Sequence, residues 1–298
     1  YGMYLMGQQQ AENAVSYLEK AEKAVEGDEV VLLNYTEALY RAGRTEEAFS
    51  ILNSRGPSAG IHNQLGNFYS REGRYEEAID QYEEAVQYER DNPVYLENCA
   101  AAHLECGEVN RAEELLVQSL DILDAPSVYN LLGNVAVVKG EYRRAETAYR
   151  ECLSRDPDNV ECKVNLADLY FSLQEYEKTK ELIEEVKRTG GTSLRANRLE
   201  DNVKKATEVH LYCSLCGREW IVPKHIPEQP PVQLRGEPPA EAPAGQCPDC
   251  GKIYCVSCAS KHIRENRFVC PDCNDYLKLR DNHIRYLVLS YVESKYSS

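Results

Sequence analysis

From Ile61 to Pro93 the chain reads IHNQLGNFYSREGRYEEAIDQYEEAVQYERDNP. Apolar and small residues recur there every three or four positions in two segments, with Gly73 between them and polar residues in the intervals. Such a period predicts helix, and two such segments joined at a glycine predict a pair of antiparallel helices. A second copy of the pattern passes through Gly133, Ala136, Ala145, Tyr149, Cys152 and Asp156-Pro157. Gly66 and Gly133 stand 67 positions apart, which is two periods of 33 or 34 residues. A fixed period in this range marks a helical repeat.

The recurring positions say why such a pair packs. A small residue in the middle of the first helix (Gly66, Ala100, Gly133, Ala167) lets the second helix approach closely. A small residue early in the second helix (Ala14, Ala48, Ala78, Ala112, Ala145) does the same from the other side. The large residue four places later (Leu18, Leu52, Tyr82, Leu116, Tyr149) fills the remaining gap. Gly43, Gly73, Gly107 and Gly140 fall where a helix must end in a left-handed residue. In this register residues 1–26 end one hairpin, and Glu29 to Arg55 form a second with a shortened second helix. The linker Gly56-Pro57-Ser58-Ala59-Gly60 breaks the run, and Ile61 to Arg90, Pro93 to Asp124, Pro126 to Asp156 and Val160 to Arg188 supply four more. Gly2 already occupies the small-residue place of a first helix, so the register expects the first repeat to start before residue 1.

This pattern resembles the tetratricopeptide repeat. The resemblance implies a mostly α chain whose residues 1–191 stack about six hairpins, the first partial, into a superhelix with a groove lined by the first helices. By repeat register Asn34, Asn98 and Asn165 share one place in alternate units, while Asn63 with Asn67, and Asn130 with Asn134, hold two places in the units between. An Asn amide carries both donors and acceptors and matches the backbone of an extended peptide whatever its side chains. The row is similar to the asparagine ladder of peptide-binding members of that family. Some members instead clamp a terminal carboxylate with two Asn and two cations. Asn67 and Asn98 match the two Asn, but Ser127 and Leu131 stand where the cations would be, which argues against a clamp. Tyr35, Tyr69, Tyr95, Tyr129 and Tyr170 are expected as core at this spacing.

Charge narrows the choice of partner. The net charge is -15, and all of the excess lies before residue 192, where 36 Asp and Glu face 19 Lys and Arg; residues 192–298 hold 13 against 15. Phosphate contact needs clustered cations, so the repeats are read as binding a neutral or basic protein and not nucleic acid. No apolar run reaches the length of a membrane span.

Of the 12 cysteines, Cys99, Cys106, Cys152 and Cys162 lie in the repeats as small apolar fillers. The other eight form four CxxC pairs: Cys213 and Cys216, Cys247 and Cys250, Cys255 and Cys258, Cys270 and Cys273. Paired thiolates at this spacing suit tetrahedral zinc in a reducing compartment, with two ions for eight ligands and a cytoplasmic address. Redox-active pairs fit less well, because no βαβ pattern surrounds them. Sequential pairing would join Cys213, Cys216, Cys247 and Cys250 as a rubredoxin-like site and the last four as another. Crossed pairing would join the first pair to the third and the second to the fourth. The stretch CPDCGKIYCVSCASKHIRENRFVCPDCNDYL is similar to FYVE, PHD and RING fingers, which implies a treble-clef or cross-brace domain over residues 210–276 and favours the crossed form. FYVE is nearest in spacing, but the basic run of that family is replaced by Glu241-Ala242-Pro243-Ala244-Gly245-Gln246, so its lipid recognition is not carried over. A RING comparison implies ubiquitin ligase activity with Leu215, Ile263 and Pro271 as docking contacts, although Asn274 stands in place of the frequent arginine.

Three segments complete the chain. Residues 192–209 are expected as a helix capping the repeat stack, with Leu194, Leu199, Val203 and Ala206 apolar. Residues 222–245 are rich in proline and are expected as an extended loop. Within residues 277–298, Asp281 to Tyr296 is expected as a helix with Ile284, Leu287, Val288 and Tyr291 on one face, packing on the repeats or the finger, or pairing two chains. His210, His225 and His262 are expected as packing or solvent residues, because eight cysteines already complete two sites. No nucleophile with a neighbouring base and no phosphate-binding loop is present in the sequence. The reading is a non-enzymatic adaptor, with two alternatives: a RING-like ligase, and an assembly adaptor resembling the bacterial repeat-plus-rubredoxin type.

Overall fold

The computed structural model describes residues 11–25, 27–190, 193–232 and 239–296. The chain divides into two compact units, Tyr1–Ser193 and Leu194–Ser298. The expectation built on Gly2 lies outside the described residues.

Among its described residues the first unit is built of helices joined by short turns. Its helices are α1 (Ala11–Ala24), α2 (Glu29–Arg41), α3 (Thr45–Asn53), α4 (Ala59–Arg71), α5 (Tyr75–Tyr88), α6 (Pro93–Glu105), α7 (Val109–Ile122), α8 (Pro126–Val138), α9 (Tyr142–Arg155), α10 (Val160–Ser172) and α11 (Tyr176–Arg188). From α2 onward they pack as antiparallel pairs, and each pair packs on the next. First helices start with caps written in the sequence: Asp28, Ser58, Asn92 and Asn159 each accept a backbone N–H from two or three residues ahead, and Pro93 and Pro126 open α6 and α8. They stop where Gly43, Gly73, Gly107 and Gly140 take φ of 80°, 74°, 80° and 73°. The last hairpin turns the same corner on Gln174 with φ 62°, a place the glycine pattern does not reveal.

One boundary differs from expectation. Ala59 and Gly60 are not linker but the first turn of α4, capped by Ser58. A side chain at Gly60 would meet the Glu29 carboxylate, so the glycine there admits α2 and does not break the helix. Inside the hairpins, a Cβ at Gly66 would lie 2.6 Å from the Tyr82 ring, and one at Gly133 2.3 Å from the Tyr149 ring. Thr36, Ala100 and Ala167 hold the same place in the other units, sixteen residues before Leu52, Leu116 and Ile183. Glycine is therefore found where the partner is a tyrosine, because only hydrogen leaves room for an aromatic ring.

The second unit begins with α12 (Leu194–Thr207) and continues as β1 (Glu208–Tyr212), β2 (Glu219–Pro223), β3 (Pro243–Gln246), β4 (Ile253–Cys255), α13 (Val256–Ala259), β5 (Ile263–Arg264), β6 (Arg267–Phe268) and α14 (Asn282–Tyr296). Its strands form three antiparallel hairpins, β1 with β2, β3 with β4 and β5 with β6. Glu208 and Val209 are thus strand and not the end of a capping helix. The proline-rich segment is also shorter as a loop than expected: Val222 and Pro223 end β2, and Pro243 to Gln246 form β3 with a register shift between Pro243 and Gly245. Gly245 takes φ 143°, and a Cβ there would meet the Lys278 backbone at 3.1 Å, so a glycine lets two strands touch. Helix α14 buries Ile284, Leu287 and Val288 and packs on β2 and β3.

Candidate metal centre and peptide groove

Three of the four CxxC pairs fold as the same local turn. The first cysteine's N–H donates to the carbonyl five residues on: Cys213 to Arg218 at 2.8 Å, Cys247 to Lys252 at 2.9 Å, Cys270 to Asp275 at 2.7 Å. Its carbonyl accepts from the residue four on, and that residue is left-handed in every case: Gly217 at φ 71°, Gly251 at 72° and Asn274 at 62°. Asn274 is therefore the closing residue of a turn, and Asn tolerates that region best after Gly. The remaining pair differs, since Cys255 ends β4 and Cys258 lies in α13.

The hairpins bring these turns together in a crossed order. Cys213, Cys216, Cys255 and Cys258 form one tetrad, and Cys247, Cys250, Cys270 and Cys273 the other, with the sulfurs of each within 4.8 Å of one another. Cys213 Sγ lies 3.7 Å and Cys216 Sγ 3.8 Å from Cys255 Sγ, and Cys250 Sγ lies 3.7 Å from Cys270 Sγ. A disulfide would need about 2.05 Å. Four thiolates around a tetrahedral ion at about 2.3 Å would stand about 3.8 Å apart, so the donor set fits a metal ion in both tetrads. His210 is not part of either; its ring meets Glu219 at 2.6 Å.

Electrostatics point the same way. Burial opposes ionisation of Cys213, but N–H groups of Cys216, Cys255 and Leu215 outweigh it and bring the thiol down to about 6. Cys270 is also buried, yet the Tyr254 hydroxyl and the N–H groups of Cys273 and Asp272 bring it down to about 7. Burial and neighbouring sulfurs push Cys258 up to about 12, and the Cys250 sulfur, with burial, raises Cys273 as well. Four sulfurs this close do not all ionise unaided, and a divalent cation removes the repulsion. Tyr254 is fully buried and its hydroxyl reaches both Cys270 Sγ at 3.4 Å and Asp272 at 2.8 Å, an outer partner that the cysteine count did not disclose.

The seven asparagines of the repeats are also placed by their neighbours. Asn67 Oδ1 accepts from the Tyr82 hydroxyl at 2.8 Å, and Asn63 Oδ1 accepts from Asn98 Nδ2 at 2.8 Å across the unit boundary. The arrangement repeats 67 residues later: Asn134 accepts from Tyr149 at 2.8 Å and Asn130 from Asn165 at 2.9 Å. In this second copy Asn165 Nδ2 also lies 3.3 Å from Asn134 Oδ1. Asn34 stands apart and donates to the Val30 carbonyl in its own helix. Asn63, Asn67, Asn98 and Asn134 are half-buried, whereas Asn130 and Asn165 are buried, at 6% and 7% exposure. The two tyrosines were not singled out as site residues from sequence. Their signal was the glycine sixteen positions earlier.

The molecule is thus an α-helical repeat array followed by a small unit with two cysteine tetrads. Residues 70–135 and 138–200 match the tetratricopeptide repeat family, and the chain carries tetratricopeptide repeats. It is similar to a TPR repeat-containing protein of Treponema pallidum, 28% identical over 177 residues, which covers 56% of this chain and 22% of that one. It is 27% identical over 103 residues to the Hsp70-Hsp90 organising protein of Plasmodium falciparum, covering 32% of this chain and 18% of that one. The chain therefore spans about a fifth of the length of these curated relatives. Among solved structures, a tetratricopeptide repeat protein from Parabacteroides merdae superposes with a TM-score of 0.57 at 17% identity, covering 69% of this chain and 83% of that one. TTC0263 of Thermus thermophilus gives 0.50 at 20% identity, covering 57% and 95%. These structural likenesses concern the fold alone. No helix among the described residues is long and apolar enough to cross a membrane.

Proposed function

We propose that the chain is a non-enzymatic adaptor whose repeat groove holds an extended segment of a partner protein. The observation that carries this is the amide set of Asn63, Asn67 and Asn98, half-buried on first helices of adjacent units, with Asn67 oriented by Tyr82 and Asn63 by Asn98. The acidity of residues 1–191 favours a neutral or basic partner, and the similarity to a protein named as an organiser of Hsp70 and Hsp90 supports a protein ligand. Each tetrad binds one zinc ion. Four protein sulfurs leave no open position, so the metal's contribution is structural, and it fixes a second protein-binding surface on the unit of residues 194–298. The protein works in the cytoplasm, where thiols stay reduced.

The test has two arms. Metal analysis of the purified chain is expected to give two zinc per molecule, and one or none would remove the zinc assignment. Replacing Asn67, Asn98 and Asn134 by Ala together is expected to deplete the partners captured by the native chain, and an unchanged set would remove the groove. A ligase reading is favoured by one observation, the exposure of Leu215 and Ile263 at 53% and 54%. Discharge of a charged conjugating enzyme, with and without the protein, decides it.

A further inference from the structure

The two amide sets differ in a way that assigns them different work, and this step rests on the groove reading just given. In the first, Asn98 donates among the described residues to Asn63. In the second, the equivalent Asn165 donates to both Asn130 and Asn134, which closes the set by tying the two carbonyls to one donor group. The closed set is the one whose Asn130 and Asn165 are buried, and the open set is half-buried at every member. We infer that only the open set, Asn63, Asn67 and Asn98, reads a ligand, and that what it reads is an internal main-chain segment of a peptide and not a chain terminus.

The polarity of the open set follows from its partners. Burial pushes the Tyr82 phenol up, so it stays protonated and donates to Asn67 Oδ1. With the carbonyls of Asn63 and Asn67 engaged from within, their Nδ2 groups have no partner among the described residues, and they suit two carbonyl oxygens of a ligand. Asn98 spends a donor on Asn63 and presents its Oδ1, which suits a backbone N–H. Two acceptors and one donor at successive residues are what an extended backbone offers.

A terminal carboxylate would need a cation beside these amides. Arg71, on the same helix, is held by Glu37 through contacts of 3.0 Å and 2.8 Å. Glu29, which lies against Gly60 at the start of α4, adds negative charge to the same group of first helices. Cationic side chains flanking the bound segment are therefore favoured.

The experiment uses the full chain with its metal. A 15-residue peptide is selected from a random displayed library, made with an amide at its C-terminus, and titrated against the native chain, Tyr82→Phe, Asn98→Ala and Tyr149→Phe. Both tyrosine changes keep the ring on its glycine, and thermal melting verifies that each variant is folded. Binding is expected to weaken about tenfold in Tyr82→Phe and Asn98→Ala, the loss of one well-formed hydrogen bond, and by less than about twofold in Tyr149→Phe. Methylating one backbone nitrogen of the peptide is expected to weaken it about tenfold as well. Equal losses in Tyr82→Phe and Tyr149→Phe, or none in either, would overturn the division of roles while leaving a peptide groove. Selection of peptides that bind only with a free C-terminal carboxylate would overturn the main-chain reading. Failure of the library to yield any binder would overturn the groove reading itself.

Discussion

The amide set around Asn98 and the set around Asn165 are built from the same residue types at the same spacing, yet one is open and the other closed. Each has a glycine admitting a tyrosine ring, a phenol holding one asparagine carbonyl, and a third asparagine reaching back from the next unit. What differs is a 3.3 Å contact between Asn165 and Asn134, and the burial that goes with it. A polar group in water can lose a partner cheaply, whereas a buried one cannot. Identical chemistry is thus left open to water at one place and sealed at the other, and position in the stack decides which.

That comparison can be pressed hardest by separating the units. Chelating the metal, or changing Cys255 or Cys270 to Ser, is expected to remove the folding energy of a zinc site, on the order of 10 kcal/mol. Residues 194–298 should unfold while the helices of the repeats persist, read as near-UV signal lost from the single Trp220 with most far-UV helicity retained. Simultaneous loss of all helicity would mean that the closed set depends on the second unit. Next in size is Gly133→Ala, whose methyl would meet the Tyr149 ring, and Gly66→Ala, whose methyl would meet Tyr82. Each is expected to cost about 2 to 3 kcal/mol by overpacking. Urea unfolding of the two variants should agree, since the hairpin packing is the same in both copies. A large difference would show that the copies diverge in their cores and not only at their amides.

The smallest effect concerns pH. Glu113 on α7 is held below the usual carboxylate range by Lys139, at 2.5 Å, and by Arg144. A depressed folded value means the stabilisation is fully present above the ordinary value near 4.5 and is lost as pH falls from there through the lower folded value. Glu113→Gln should flatten that part of the acid unfolding curve by under about 1 kcal/mol, because the pair is near the surface. It touches neither amide set, so it serves as a control that should leave their difference intact.

Much of this architecture was legible beforehand because it is local. Hairpin corners and the small-to-large pairing depend on residues close in sequence, and periodicity reports them; the caps at Asp28, Asn92 and Asn159 are equally local but were read only from the structure. The CxxC turns are local too, which is why the eight sulfurs that could hold metal were named from sequence. The crossed grouping of Cys213 with Cys255 was not fixed by spacing, since it depends on how separate hairpins meet. The asparagines were found by register, but register is blind to depth: Asn98 and Asn165 occupy one repeat position and differ only in what surrounds them. The turn roles of Gln174 and Asn274 were missed because they take left-handed backbone without being glycine. Gly60 read as a breaker because its role, admitting Glu29 from another helix, exists only in three dimensions.

The most direct measurement is a paired unfolding experiment on Asn98→Ala and Asn165→Ala in the metal-loaded chain, followed by helical circular dichroism in urea. Removing Asn165 leaves the buried Asn130 carbonyl without its donor, while Asn134 keeps Tyr149, so a loss of about 1 to 3 kcal/mol is expected, whereas Asn98→Ala should cost under about 1 kcal/mol because water replaces it. Equal costs for the two changes would contradict the claim that the same amides hold the fold at one place and await a ligand at the other.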